Sequence, residues 1–349
     1  VKPIPNTPAA LVARVERRAG QNAGRMDTDE SRTQHESRSK GPGRGAWRRF
    51  GLVLALVAVS AVLVAARPQA ISIDYVLTLL RQVAINGILA VGVTYVLLTG
   101  GVDLSLGSVV ALTGVVAATF AHPGAYPLAL PLGMGLLTGA LCGTVNGLVV
   151  TRGRVAPFIA TLGMMTAARG LAYIISGGRP VSQLRPEFNA IGSGNILGIP
   201  IPVILLGVVA AVSAVFLRNT RAGRHLYATG GNETAAYASG INVHAAKTLA
   251  YSVCGALAGL AGIVQAARST TGQPNAGMMY ELDAIASVVI GGTSLAGGVG
   301  GVGGTILGAL LMGVISSGLD MLNVPSYYQQ VVKGLIIIGA VMLDRRDSK

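Results

Sequence analysis

Residues 218–247, RNTRAGRHLYATGGNETAAYASGINVHAAK, form a polar island between apolar runs at 199–217 and 248–267. An island of this kind between runs of membrane-spanning length marks a polypeptide threaded through a bilayer. It carries Arg218, Arg221, Arg224 and Lys247 against a single acid, Glu233. By the tendency of basic loops to stay inside, it is expected to face the cytoplasm. Small residues dominate its second half, in Thr234-Ala235-Ala236 and Ala238-Ser239-Gly240. They suit a short helix whose exposed face lies against another protein. Composition alone favours a solvated connecting loop.

Working outward, a hydrocarbon core of about 30 Å needs ~20 apolar residues per helix. Runs of that order fall at about 50–66, 76–99, 104–121, 126–150, 156–176, 199–217, 248–267, 282–297, 301–319 and 327–343. Helices are the expected form, because backbone polar groups in lipid must be satisfied within the segment. The whole-chain composition agrees: 51% of 349 residues are hydrophobic, 12% are charged and mean hydropathy is +0.60. The expectation is an all-α polytopic membrane protein of about ten transmembrane helices, with a transmembrane body over 47–345 and a short cytoplasmic C-terminus at 346–349.

Charge is uneven. Residues 1–50 hold 11 of the 27 basic side chains and 5 of the 14 acids. The net charge of +13 would suggest nucleic acid in a soluble protein, but here it sits in the tail and in loops expected to be cytoplasmic. Residues 1–46 have too few large apolar side chains to offset the entropy of ordering, so a disordered cytoplasmic tail is expected. Trp47, Arg48, Arg49 and Phe50 read as an interfacial anchor, and the late start of the first apolar run argues against a signal peptide. With both termini inside, the inner loops and C-terminus carry 9 basic residues against 5 outside, leaving the tail aside.

The chain lacks the means to hydrolyse ATP. A phosphate-binding loop needs Gly-Lys-Ser/Thr after a glycine turn, and none of Lys2, Lys40, Lys247, Lys333 or Lys349 has that setting. One literal GxGxxG occurs at Gly298, Gly300 and Gly303, but it lies between two membrane runs. Close helix approach or a broken helix accounts for it better than a dinucleotide. Cys142 and Cys254 lie within expected spanning helices, where a free thiol behaves as a small hydrophobe. The histidines His35, His122, His225 and His244 are isolated, and no metal or catalytic cluster is expected. Glu281 and Asp283 look like an ordinary helix start.

Inside the membrane region, the stretch Gly100-Gly101-Val102-Asp103-Leu104-Ser105-Leu106-Gly107-Ser108 stands out. Two glycines interrupt a helix, and Asp103 precedes a new run. That placement suits an N-cap, and it also suits an acid lining a solute path beside a broken helix. Asn86, Asn146 and Gln265 are able to bond either a polar solute or a neighbouring helix. Arg169, within a run, calls for an internal partner or a snorkelling path to the interface. Residues 99–107 can also be laid against 290–298, an echo that suggests two parallel internal repeats, helices two to five and seven to ten.

Several blocks then carry a family resemblance: GGVDLSLGSVVALTG at 100–114, NGLVVTRGRVAPFIATLGMMTAARGLAYIISGGRPV at 146–181, ATGGNETAAYASGINVHAAKTLAY at 228–251, and the glycine-rich stretch at 290–324. In order and kind they resemble the permease subunits of the ribose/xylose/galactoside class of bacterial ABC sugar importers. The resemblance implies a multi-pass inner-membrane protein that pairs with a second permease subunit. It further implies a cytoplasmic tandem-cassette ATPase that binds the ATP, so that this chain needs no cofactor of its own, and a periplasmic protein that delivers a monosaccharide. It makes 218–247 the ATPase-coupling loop, with Arg221, Gly223, Asn232, Glu233, Ala235, Ala236 and Gly240 as its contact residues. Asn86, Gly100, Gly101, Asp103, Ser105, Asn146 and Gln265 become the candidate translocation path through which sugar passes by alternating access. The alternative reading is a secondary transporter or channel that works without an ATPase.

Overall fold

The computed structural model of the chain describes residues 43–124 and 126–347. Among these, thirteen α-helices account for nearly all regular structure. In chain order they are α1 (Gly43–Ala66), α2 (Ile73–Leu98), α3 (Leu106–Phe120), α4 (Ala129–Thr151), α5 (Pro157–Ser176), α6 (Pro186–Ser193) and α7 (Ile201–Asn219). Then come α8 (Arg221–Gly231), α9 (Glu233–Ala238), α10 (Val243–Ser269), α11 (Tyr280–Ile290), α12 (Val302–Met321) and α13 (Ser326–Asp347). A two-residue antiparallel hairpin, β1 (Asn195–Ile196) with β2 (Ile199–Pro200), leads into α7. The all-α expectation therefore holds. The tail expected at 1–46 lies outside the described residues, except that α1 takes in its last few.

Six helices are long and apolar enough to cross a membrane: α2, α4, α5, α7, α10 and α12. The chain is a multi-pass membrane protein. Each of the other four expected runs is also helical, but two are cut short: 104–121 yields the 15-residue α3 and 282–297 the 11-residue α11. At 1.5 Å per residue these measure about 22 and 16 Å, well under the hydrocarbon thickness. Glycines end α11 early. Gly292, Gly297, Gly298 and Gly300 all have positive φ, so the backbone between 291 and 301 turns instead of continuing a helix.

Two long helices form the centre. Every residue of α2 from Val83 to Leu98 except Asn86 is buried, and α10 is buried along most of its length against α2, α3, α4 and α6. The contact between α4 and α10 is made by backbone. Gly135, Gly139, Gly143 and Gly147 recur every four residues on α4, and a Cβ on Gly139 or Gly143 would collide with the carbonyl of Gly255 or Tyr251 on α10. Small residues at that spacing let helices approach closely where lipid supplies no hydrophobic drive between them. By contrast α5 and α7 bury little and present Phe158, Ile159, Ile174, Val208 and Val212 outward.

Two long helices are each followed by a non-helical stretch and a short helix: α2 by 99–105 and α3, and α10 by 270–279 and α11. These are the second and seventh runs of the repeat suggested by the sequence. They run antiparallel, since Gly92 of α2 meets Cys254 of α10 while Gly101, past the end of α2, meets Tyr251, earlier in α10. The echo stretches 99–107 and 290–298 come into contact: Gly298 N donates to Leu98 O at 3.0 Å, and Gly297 lies against Gly100.

Candidate functional site

The polar loop folds as a chain of short helices, each started by a side-chain cap. Thr220 Oγ1 accepts from Gly223 N at 3.0 Å to open α8, Asn232 Oδ1 from Ala235 N at 2.9 Å to open α9, and Asn242 Oδ1 from Ala245 N at 3.0 Å to open α10. Threonine and asparagine supply the acceptor that free first-turn amides lack. The loop is consequently ordered.

Its expected contact residues divide into two kinds. Arg221, Asn232, Glu233 and Ala235 are exposed, together with Arg224. Ala236 and Gly223 are buried: a Cβ on Gly223 would run into Phe216 O and Leu217, so it serves the tight turn between α7 and α8. Gly240 is exposed but has φ of 79°, where it ends α9, with Ile241 N donating to Ala236 O at 3.0 Å. Lys247 Nζ reaches Glu233 Oε2 at 2.6 Å, tying the start of α9 to α10. What remains outward is a face of Ala235, Ala238 and Tyr237, the last 73% exposed. Tyr237 was not singled out in the sequence; an aromatic among small polar neighbours in a basic loop was the available signal.

The inner side of this loop rests on both interrupted helices. A Cβ on Gly230, near the end of α8, would collide with Leu98 O and come within 2.6 Å of Gly298 N. Tyr227 Oη donates to Gly300 O at 3.0 Å. Leu98 ends α2, and Gly298 and Gly300 lie between α11 and α12, so one helix of the polar loop bears on both glycine breaks. The GxGxxG match is thereby explained as backbone close approach. Neither Gly230 nor Tyr227 was legible as a contact, because nothing local marks which loop a glycine will meet.

Of the candidate path residues, the structure brings three together. Ser105 donates to Asp103 Oδ1 from its backbone N at 2.9 Å and from Oγ at 2.6 Å, and Asn146 Nδ2 of α4 donates to Ser105 Oγ at 3.0 Å. All three are about 1% exposed. Asp103 thus forms a tight turn before α3, with Ser105 in the cap position; it does not bond the first-turn amides of α3 as an N-cap would. Gly100 has φ of 73° and makes the reversal after α2, while Gly101 abuts the Tyr251 hydroxyl, which donates to Val102 O at 3.2 Å. Asn86 and Gln265 are half-buried on α2 and α10 and do not join this network.

Two further polar groups within runs find partners. Arg169 Nη1 of α5 donates to Pro274 O and Ala276 O, both at 2.7 Å, meeting the expectation of an internal partner and pinning the turns before α11. Asp283, in the first turn of α11, pairs with Lys333 Nζ of α13 at 2.7 Å, which is more than an ordinary helix start. Cys142 and Cys254 are free thiols, as expected.

Comparison with known proteins gives a consistent result. Residues 75–341 match the family described as "Branched-chain amino acid transport system / permease component". The ribose import permease protein RbsC of Escherichia coli strain K12 is 45% identical over 298 residues, covering 84% of this chain and 92% of that protein. RbsC of Bacillus subtilis strain 168 is 46% identical over 306 residues, 87% of this chain and 95% of that protein. The D-allose transport system permease protein AlsC of E. coli K12 is 35% identical over 322 residues, 91% and 99% respectively. No solved structure matches the chain significantly. Permeases of this kind are transport components and not enzymes. On the match across 75–341 and the near-complete coverage of these relatives, the chain belongs to the permease-component family of ABC-type import systems.

Proposed function

We propose that this chain is the membrane permease of an ATP-driven importer of a neutral monosaccharide, working by alternating access across the inner membrane. The family description names branched-chain amino acids, but the relatives at 45% and 35% identity carry ribose and allose in their names, which supports a sugar. In this reading the chain crosses ten times. The crossings at α3 and α11 are completed by their non-helical stretches, and both termini and the loop at 218–247 face the cytoplasm. Two permease subunits combine with a tandem-cassette ATPase on that face and a periplasmic sugar-binding protein on the other.

The observation that carries the proposal is the two-sidedness of the polar loop. Its outer face, with Tyr237 and Ala235, is free for a partner, while Gly230 and Tyr227 on its inner side bear on the breaks after α2 and before α12. Force applied to α9 by a nucleotide-driven partner therefore passes into the two interrupted helices without crossing a flexible linker. The Asp103 turn with Ser105 and Asn146 lies just beyond the first of these breaks, where the candidate path runs.

An ion-coupled transporter that works without an ATPase would usually carry more acids at membrane depth than this chain offers. Asp103 and Asp283 are already engaged, by Ser105 and Lys333. The deciding experiment reconstitutes the chain with and without its cognate ATPase and binding protein, beside a Glu233→Lys variant. Uptake should require ATP and both partners. The Glu233–Lys247 pair is solvent-exposed and worth only about 0–1 kcal/mol, so Glu233→Lys should fold normally yet lose sugar-stimulated ATP hydrolysis. Uptake by the solitary chain on an ion gradient would sink the proposal. Gly240 is a poorer probe, because its positive φ makes any substitution there a distortion of the loop.

A further inference from the structure

The first turns of the two short helices, α3 and α11, meet in the interior. Gly107 of α3 lies against the backbone of Gly277 and beside the Glu281 carboxylate. Beside this junction is a cavity of about 340 Å³, walled by Ser108 of α3, Thr166 and Arg169 of α5 and Glu281 of α11. Three methionines, Met165, Met278 and Met279, complete the lining. Met278 and Met279 are 68% and 39% exposed at its mouth. Met279 is held at φ of 67°, a left-handed conformation that costs a side-chain-bearing residue about 1–3 kcal/mol and tends to persist at ligand sites.

Resting on the sugar-import reading above, we propose that this cavity is a monosaccharide-binding station on the translocation path. Its volume is at the low end of the ~300–1,000 Å³ of small-molecule sites, enough for one sugar ring and not for a chain of them. Its chemistry is mixed in the way a sugar requires. Ser108 and Thr166 offer hydroxyls, Glu281 a strong acceptor and Arg169 a donor, while the methionine thioethers give a soft, adjustable apolar wall for the C–H face of a ring. One Arg169 nitrogen is committed to Pro274 and Ala276, so the group is fixed in place. The site is built by α3 and α11, the same helices whose preceding or following breaks the polar loop touches. Movement of that loop would therefore change the cavity. None of these side chains is among the polar residues of the Asp103 network.

The test uses the assembled transporter in proteoliposomes, in a Cys142→Ala/Cys254→Ala background. Thr166→Cys should react with a small cationic methanethiosulfonate, and binding protein loaded with D-ribose or D-allose should slow that reaction at least fivefold while unloaded binding protein does not. Glu281→Gln keeps the volume and a carbonyl acceptor but loses the charge. It should raise KM for uptake about fivefold to tenfold, the difference between charged and neutral hydrogen bonds, with ATP hydrolysis retained. Thr166→Trp, filling the mouth, should abolish uptake and leave ATP hydrolysis running. A Thr166→Cys thiol blocked equally with and without sugar, or wild-type uptake in Thr166→Trp, overturns the station. A space filled only by a second permease copy would give the first of these results. Failure of the parental complex to import any sugar would instead overturn the import reading itself.

Discussion

Asp283 and Lys333 show how much one residue's environment can change its meaning. In sequence, Asp283 is one of two acids at a helix start and Lys333 a stray charge in an apolar run. In the structure they meet at 2.7 Å with side chains 8% and 21% exposed, fastening α11 to α13. Removing one partner of a fully buried pair costs ~3–5 kcal/mol, and the partial exposure of Lys333 lowers that to about 2 kcal/mol. Asp283→Asn should therefore lower the thermal unfolding midpoint of the detergent-solubilised protein. Asp283→Asn/Lys333→Met should recover most of the loss, because an apolar replacement removes the stranded charge as well. A single variant as stable as the parent would show the pair to be idle. The glycines of α4 act differently: they stabilise through what they lack, since any Cβ at Gly139 or Gly143 would force α4 away from α10.

At the scale of elements, the structure couples a surface helix to two interrupted ones. α8 is amphipathic and short, and its end at Gly230 is seated on Leu98 O and Gly298 N. The hydrogen bond from Gly298 N to Leu98 O already joins the two breaks, so α8 rests on a single assembled joint. Gly230→Ala should leave assembly with the ATPase intact, because the outward face of α9 is untouched. It should cut uptake per ATP hydrolysed by about tenfold, within the 5–150-fold range of typical intersite coupling. Simultaneous measurement of sugar accumulation and phosphate release checks this, and an unchanged ratio would mean that the joint transmits nothing. Interrupted helices suit this task, because their backbone turns at glycine and can shift without breaking a continuous ladder.

For the whole molecule, burial is lopsided. α2 and α10 are enclosed, whereas α5 and α7 display apolar faces, and the cavity opens beside α5 through exposed Met278. Lipid satisfies such faces, and so does a second permease subunit across a shared path. The purified complex is expected to contain two permease chains per tandem-cassette ATPase, measurable by native mass spectrometry from detergent. A stoichiometry of one would leave the path without its second wall.

The sequence by itself determined what depends on local composition. Long apolar runs must be helices in lipid, and basic and small residues make 218–247 a polar surface loop. Family likeness was also legible, because it rests on the order of motifs. Only the tertiary structure decided which distant segments touch. Asp103 with Ser105 could be read from spacing, but not Asn146 across to them, nor Asp283 to Lys333 fifty residues on. The antiparallel relation of α2 and α10, the seat of Gly230 and the cavity at Glu281 were hidden for the same physical reason. Glycine and small apolar residues carry no partner-specific chemistry, so where two such backbones meet is set by packing of the whole chain and by nothing written at either position.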